Sequence, residues 1–303
     1  MKSIRIGTRK SPLALWQAEE VAKKIQNLGY TTEVIPIVSS GDKQLNQPLY
    51  AMGITGVFTR DLDIALLNDE IDIAVHSLKD VPTQLPENIE LIAYLERDFP
   101  QDVLVRSSKA KDKALKDLKI ATSSLRRRAF WLKNFPNTEF SDIRGNVQTR
   151  LNKLEEGIAD ATMFSKAGLE RLQLNITTEE LPMMVSAPSQ GVVTVAGKAD
   201  NEEIKSVLKQ INHRETQICV EIERRFLQIM EGGCTAPIGA LVSPINTTEY
   251  RFVGRICSLD GKECIEIDEV FSYENDKDFG RDFAEKVLAN GGKKLMAEIK
   301  AQI

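Results

Sequence analysis

Ile71-Asp72-Ile73-Ala74-Val75-His76-Ser77-Leu78-Lys79-Asp80-Val81-Pro82 decides the reading of the fold. From Ile71 to His76 it is a short apolar run, the pattern of a strand buried on both faces in a parallel sheet. Immediately after it come Ser77, Lys79 and Asp80, beyond the carboxyl end of the strand, where open α/β sheets bind their ligands. Outward on the N-terminal side the same alternation holds. Ile4 to Gly7 reads as a strand. Ser11 is an N-cap with Pro12 as the first helical residue, and that helix runs to about Leu28 with Gly29 as its stop. Thr32 to Val38 is a second strand, and Phe58, Leu62, Ala65 and Leu66 fall at helical spacing. Strands alternating with helices predict βαβ units and a mostly parallel sheet.

The alternation restarts after Pro100. Val103 to Val105 and Ile120 to Thr122 are strands, and Lys109 to Lys119 is a charged connector or helix. Ser123 or Ser124 caps a helix through about Asn134, and Val147, Leu151 and Leu154 make another helical stripe ending near Gly157. Ser186-Ala187-Pro188-Ser189-Gln190-Gly191 breaks the pattern as a crossover. The last ninety or so residues differ: a long helix from about Arg214 to Met230, two alternating strands around Asp260-Gly261, the strongest short hairpin signal, and an amphipathic helix marked by Phe279, Phe283 and Val287. The expected organisation is an α/β domain of residues 1–97 and 190–212, a second α/β domain of residues 98–189, and a small α+β domain of residues 213–303.

The 303 residues are 42% hydrophobic and 28% charged, an ordinary globular balance. No apolar run approaches the length of a membrane span, and the N-terminus enters a strand with no apolar leader, so a cytoplasmic location is expected. Four cysteines do not make a disulfide framework, and two histidines, His76 and His213, argue against a metal centre. Cys257 and Cys264 fall opposite each other across the hairpin; the expected compartment favours reduced packing partners over a disulfide. The net charge of −4 hides one basic window: between Ile120 and Lys153, Arg126, Arg127, Arg128, Lys133, Arg144, Arg150 and Lys153 face only Glu139 and Asp142. That window is fit for anions. A nucleic-acid patch is the competing use, disfavoured by 6% aromatics and the lack of a helix-turn-helix or RNA-binding motif.

Four clusters could carry chemistry. Thr8-Arg9-Lys10-Ser11-Pro12 lies at a strand-to-helix turn where free amides and a bidentate guanidinium suit a carboxylate or phosphate, although Ser11 alone is also what capping requires. In His76 to Pro82, Lys79 and Asp80 read either as a surface ion pair or as an anion clamp beside a catalytic carboxylate, while His76 reads as a hydrogen-bonded packing residue. Thr122 to Arg128 places arginines in the first turn of a helix, against its dipole, which suggests that they serve a ligand; Arg144-Gly145-Asn146-Val147-Gln148-Thr149-Arg150 repeats the theme. Glu231 to Gly239 sets Cys234 on a glycine-opened loop, a setting for a reactive or modified thiol rather than a packed one.

Together these segments, with Ala167-Gly168-Leu169, Arg171 and Gln190-Gly191, closely resemble the porphobilinogen deaminase (hydroxymethylbilane synthase) family over nearly the whole chain. The resemblance implies two α/β domains like periplasmic binding proteins plus a small C-terminal α+β domain, with the site in the cleft between the first two. It implies a transferase that joins four porphobilinogens head to tail with release of ammonia, acts on a small molecule without nucleic acid, membrane or metal, works as a monomer, and carries a dipyrromethane cofactor on Cys234 through a thioether. Carried over to this chain, Asp80 is the catalytic residue. Lys79, Asp80, Ser124, Arg126, Arg127, Arg144 and Gly145 hold the cofactor, and Arg9, Ser11, Arg150, Arg171 and Gln190 meet the substrate. Porphobilinogen's acetate and propionate explain why arginines, which bind carboxylates bidentately, are needed. Two-lobed folds of this kind often flex, and hinges are expected near Glu96–Pro100 and Ser186–Gln190. The sequence departs from the family pattern at Thr55 in Met52-Gly53-Ile54-Thr55-Gly56, where a lysine is usual and Arg60 partly compensates, and in the lack of a glutamate from Val192 to Ala199.

Overall fold

The computed structural model describes residues 3–38, 58–230 and 236–303. Thr55 and its loop, and Cys234 with Gly232 and Gly233, lie outside the described residues.

The first lobe opens with β1 (Ile4–Arg9), α1 (Pro12–Asn27) and β2 (Thr32–Ile37). Ser11 caps α1 by accepting from the Ala14 amide, and Gly29 takes the left-handed conformation after it, with φ +91°. Next come α2 (Arg60–Leu67), β3 (Ile73–Ser77), a short 3-10 turn at Leu78–Asp80, and β4 (Ile89–Tyr94). The chain then crosses to a second lobe: β5 (Asp102–Arg106), β6 (Ile120–Ala121), α3 (Leu125–Asn134), β7 (Phe140–Ser141), α4 (Val147–Glu155), β8 (Ala161–Ser165), α5 (Lys166–Arg171) and β9 (Glu179–Glu180). The charged segment from Lys109 to Lys119 forms two 3-10 turns rather than a helix. Return to the first lobe is made by β10 (Val193–Lys198) and α6 (Glu202–Lys209).

Strand order is β2-β1-β3-β10-β4 in the first sheet and β7-β6-β8-β5-β9 in the second. Both are mixed rather than mostly parallel. β1 runs parallel to β2 and β3, but β10 runs antiparallel to β3 and β4; in the second sheet β5 runs antiparallel to β8 and β9. The expected parallel pairing assumed that each strand returns through its own right-handed crossover. β5 and β10 instead enter from the other lobe, so that constraint does not act on them. At the re-entry Gly191 is left-handed, φ +88°, and an added Cβ would lie 2.8 Å from the Asp98 carbonyl of the outgoing crossover. Glycine is what lets the two crossing segments lie side by side.

The third unit is α7 (Arg214–Ile229), β11 (Ile238–Pro244), β12 (Glu249–Cys257), β13 (Cys264–Ser272), α8 (Phe279–Val287) and α9 (Lys293–Gln302). One face of its sheet order β11-β12-β13 is covered by helices whose aromatics interlock, with the Phe252 and Phe283 rings stacked at 4.3 Å. The hairpin register pairs Cys257 with Cys264 as the sequence spacing predicts, but the two form a disulfide. The preference for reduced thiols is corrected: it came from an assumed compartment, whereas directly opposed positions, Cα atoms 4.1 Å apart, bring the sulfurs together.

A buried ion pair joins the units. Arg97, on the outgoing crossover, donates to both carboxylate oxygens of Glu223 on α7 at 2.8 Å. Glu223 in turn accepts from the amides of Ser189, on the returning crossover, and Val242, on β11. Both expected hinge segments are thereby fixed to one side chain of the third unit.

Candidate active site

The corner beyond β6 begins with its caps. Ser124 accepts from the Arg127 amide at the start of α3, and Ser123 binds both the carbonyl and the amide of Ile143, drawing the Arg144-Gly145 loop against the helix start. Gly145 is left-handed, φ +116°, and an added Cβ would lie 2.7 Å from Thr149. Asn146 caps α4, which carries Arg150. Arg144 is half-buried, and burial lowers its pKa.

Arg126 and Arg127 are buried and both turn inward to Asp102, the first residue of β5. Arg126 donates to Asp102 at 2.6 Å, and Arg127 donates through Nε at 3.1 Å and Nη2 at 2.7 Å. Burial alone would raise the Asp102 pKa, but the two guanidiniums prevail and hold this carboxyl well below the usual carboxylate range. The sequence reading is that arginines opposing the helix dipole serve a ligand; in the structure Arg126 and Arg127 also have an internal partner, Asp102. Asp102 itself escaped that reading. The available signal was the same misplaced pair of cations, which demanded an acid elsewhere in the chain.

Gln190 extends the network. Buried at 1% exposure, it donates to Asp102 at 3.1 Å and to the Pro100 carbonyl at 2.7 Å, and accepts from Lys79 at 3.4 Å. Lys79, from the corner beyond β3, thus reaches the corner beyond β6. Desolvation lowers its pKa to about 8, against the pull of Asp80 and with the push of Arg127. Arg150 joins from α4: it and Arg127 donate to the same Met163 carbonyl, at 2.6 and 2.8 Å. Its guanidinium lies over the Phe164 ring at 4.2 Å, and its Nε is buried without a hydrogen-bond partner among the described residues. Burial, and next Arg127, push its pKa down, although a guanidinium remains protonated at neutral pH.

Beside this network lies a small pocket, about 70 Å³, bordered by Arg9, Ser11, Phe58, His76, Ser77 and Asp80. Arg9 stacks over Phe58 at 4.3 Å. His76 is buried, and desolvation with Arg9 lowers its pKa to about 4, so it is neutral, in keeping with a packing role. Gln17 and Ser77 hydrogen-bond across the pocket wall. Arg171 is not brought here. It pairs with Asp98 at 2.7 Å, donates to the Gly191 carbonyl and lies over Trp16, so its guanidinium serves the crossover.

In sum, among the described residues Lys79, Arg126, Arg127 and Arg150 lie in one connected group with Asp80 and Asp102. A buried cluster with more cations than acids, one guanidinium nitrogen unpartnered, and an adjoining pocket with another arginine can bind a molecule carrying several carboxylates.

The model of the porphobilinogen deaminase dipyromethane cofactor binding domain matches residues 4–206, and that of the porphobilinogen deaminase C-terminal domain matches residues 217–289. The chain belongs to the porphobilinogen deaminase family. The "probable porphobilinogen deaminase" of Methanocaldococcus jannaschii is 48% identical over 78% of this chain and 82% of its own length. The porphobilinogen deaminases of Desulfosudis oleivorans and Geotalea uraniireducens are 39% and 40% identical, each over 99% of this chain and over 98% and 95% of their own lengths. Among solved structures, a probable amino-acid ABC transporter extracellular-binding protein of Bacillus subtilis matches at TM-score 0.45 and 14% identity over 70% of this chain and 90% of that chain; the family assignment does not rest on it. The cofactor named for the family's first domain fits this site. A dipyrromethane bears carboxylate side chains, and the donors on hand are a surplus of buried cations with an orphaned Arg150 Nε. No helix among the described residues is long and apolar enough to cross a membrane.

Proposed function

We propose that this protein condenses four porphobilinogen molecules head to tail into hydroxymethylbilane, releasing ammonia, in tetrapyrrole biosynthesis. The observation that carries the reading is the surplus of buried cations around Asp102 and Gln190, next to a pocket bordered by Asp80, in a chain of this family. Residues 1–97 with 190–212, 98–189 and 213–303 are taken as its three domains; each contains one of the three sheets.

Cys234 would hold the dipyrromethane through a thioether, and that group would supply a permanent primer. Lys79, Ser124, Arg126, Arg127, Arg144 and the Gly145 backbone would hold its carboxylates. Arg126 and Arg127 keep Asp102 as their fixed partner, so the added negative charge falls on Lys79 and Arg150 as well. Arg9 and Ser11 receive the carboxylates of incoming porphobilinogen, and Arg150 those of the growing chain. Gln190 holds Lys79 in place, and Arg171 acts through the crossover it anchors. The two lobes exclude water from the cations, which strengthens each pairing.

Asp80 supplies the fixed negative group. Its carboxylate oxygens accept hydrogen bonds from pyrrole N–H groups and steer the rings. They also stabilise positive charge on the substrate's methylene carbon as ammonia departs. At about 4 Å and an effective dielectric of about 20, such a pair is worth about 4 kcal/mol, roughly a thousandfold in rate if realised only in the transition state.

Intact mass spectrometry of protein from a host able to make porphobilinogen tests the reading. An adduct of two linked pyrrole units that disappears in Cys234→Ser, with porphobilinogen consumed by the parent protein, is the expected result. A bare polypeptide mass, together with no porphobilinogen consumption after the primer is supplied, would overturn it and leave a two-lobed anion-binding protein.

A further inference from the structure

Arg224 lies half-buried on α7, in the third unit, one position after Glu223. Its guanidinium donates to three carbonyls of a single first-lobe segment: Leu78 at 3.5 Å, Val81 at 3.0 Å and Pro82 at 2.6 Å. That segment is the 3-10 turn beyond β3 that bears Lys79 and Asp80. Val220, one helical turn earlier, packs with Leu78 and Val81 in an apolar cluster that includes Tyr94 and Val192. α7 therefore grips the turn twice, by a buried valine and by a guanidinium. Among the described residues the turn's other backbone contacts are the Leu78 amide donating to the Val192 carbonyl at 2.9 Å and the Val81 amide donating to the Leu78 carbonyl at 3.1 Å, so the Val81 and Pro82 carbonyls are left to Arg224. The turn is three residues long, and its side chains at 79 and 80 are directed to the site rather than to its own backbone. Carbonyls in a partly buried turn need donors, and a planar guanidinium can serve several at fixed geometry, as an ammonium cannot.

We propose that Arg224 is a positioning residue for the reaction: by holding the 78–82 backbone it sets where the Asp80 carboxylate stands relative to the substrate rings. This deepens the functional reading above and rests on it. Loss of the clamp lets the turn shift, and a shift of about 1 Å in a catalytic group costs up to about a hundredfold in rate.

The experiment uses full-length protein carrying its adduct. Arg224→Gln, Arg224→Lys and Arg225→Gln are compared with the parent for adduct mass, melting temperature, kcat and KM, and for amide exchange of the peptide covering 77–85. Arg225 is the control because it pairs with Asp278 and Gln228 and donates nothing to the turn. For Arg224→Gln the expected results are an intact adduct, faster exchange confined to the 77–85 peptide, and a kcat lower by about tenfold to a hundredfold with KM little changed. Arg224→Lys recovers part of the loss, and Arg225→Gln matches the parent. Parental kcat and exchange in Arg224→Gln would overturn the proposal. So would a loss of kcat that only tracks the unfolded fraction and is shared by Arg225→Gln. If Arg224→Gln does not fold, Arg224→Lys decides by the same two readouts. A parent protein that consumes no porphobilinogen would sink the functional reading instead, while the exchange data would still decide whether Arg224 fixes the turn.

Discussion

Two pairs of cations line the same cleft and are treated oppositely. Arg126 and Arg127 share one buried carboxylate, Asp102, with five charged or carbonyl contacts between them. Lys79 and Arg150 are reached by other groups: among the described residues Lys79 donates to the Gln190 amide oxygen, and Arg150 to the Thr162 hydroxyl and Met163 carbonyl. The first pair is satisfied before any ligand arrives and fixes the geometry of the corner. Desolvation pushes the pKa of both members of the second pair down, and an incoming carboxylate would favour their charged forms. A site that must accept a lengthening polyacid needs both kinds, because wholly neutralised cations attract little and wholly uncompensated ones would unfold the corner.

Removing Asp102 should produce the largest effect on stability. Asp102→Asn strips the charge from the satisfied pair and leaves two buried guanidiniums without an acid, a cost of about 3 kcal/mol or more, read from denaturant midpoints at pH 7. The folded-state pKa of Asp102 is depressed, so its contribution is present in full above the ordinary carboxylate pKa. It is lost as pH falls below about 4 toward the folded value. Parent and variant should therefore differ most near neutrality and converge in acid. Equal midpoints at pH 7 would mean that the two pairs are not different in kind. Asp80→Asn should separate chemistry from this framework. The fold and the adduct persist, while turnover falls by at least about a hundredfold, near 2.7 kcal/mol in barrier; near-parental turnover would remove Asp80 from the mechanism.

Arg150→Met sharpens the contrast from the other side. The side chain already stacks on Phe164, so an apolar replacement of similar length costs little packing and relieves an under-compensated charge. Thermal unfolding of the adduct-free protein should show stability unchanged or raised by about 1 kcal/mol, with slower assembly of the adduct when primer is supplied. A strong loss of stability, of the size expected for Asp102→Asn, would place Arg150 with the satisfied pair.

The sequence made the alternation of elements legible because caps and stops are local: Ser11-Pro12, Gly29, the Ser123-Ser124 pair and Gly157 act within a turn of their own helices. The hairpin register was legible for the same reason. Strand direction was not, since the run Val193 to Lys198 looks the same whether it enters a sheet parallel or antiparallel, and only the crossover from the second lobe decides. The site was legible as a collection of charged clusters, and its internal pairing was not. Nothing local to Arg126 says that Asp102, 24 residues earlier, is its partner, and nothing local to Asp80 says that Arg224, far along the chain, holds its backbone. Long-range pairing of single side chains has no period to detect. The contacts of Arg171 were illegible for that reason too: its partners, Asp98 and the Gly191 carbonyl, come from the two crossing segments.

Lys79 offers the smallest and most discriminating test of the comparison. Desolvation depresses its pKa from 10.5 to about 8 in the folded protein, and the unfolded chain keeps the ordinary value. Below about pH 8 both states are protonated, and the fold carries the cost of a buried charge. Between pH 8 and 10.5 the unfolded state binds more protons than the folded one, so this group makes the fold more stable as pH rises. Urea midpoints of adduct-free parent and Lys79→Gln, measured from pH 7 to 10, should therefore differ by an amount that shifts in the parent's favour above pH 8. The adduct should move that window upward, because carboxylates beside Lys79 favour its charged form. A parent-minus-variant difference that stays flat with pH, or one that the adduct does not move, would mean that the charge beyond β3 is already compensated, and the distinction between the two pairs of cations would fail.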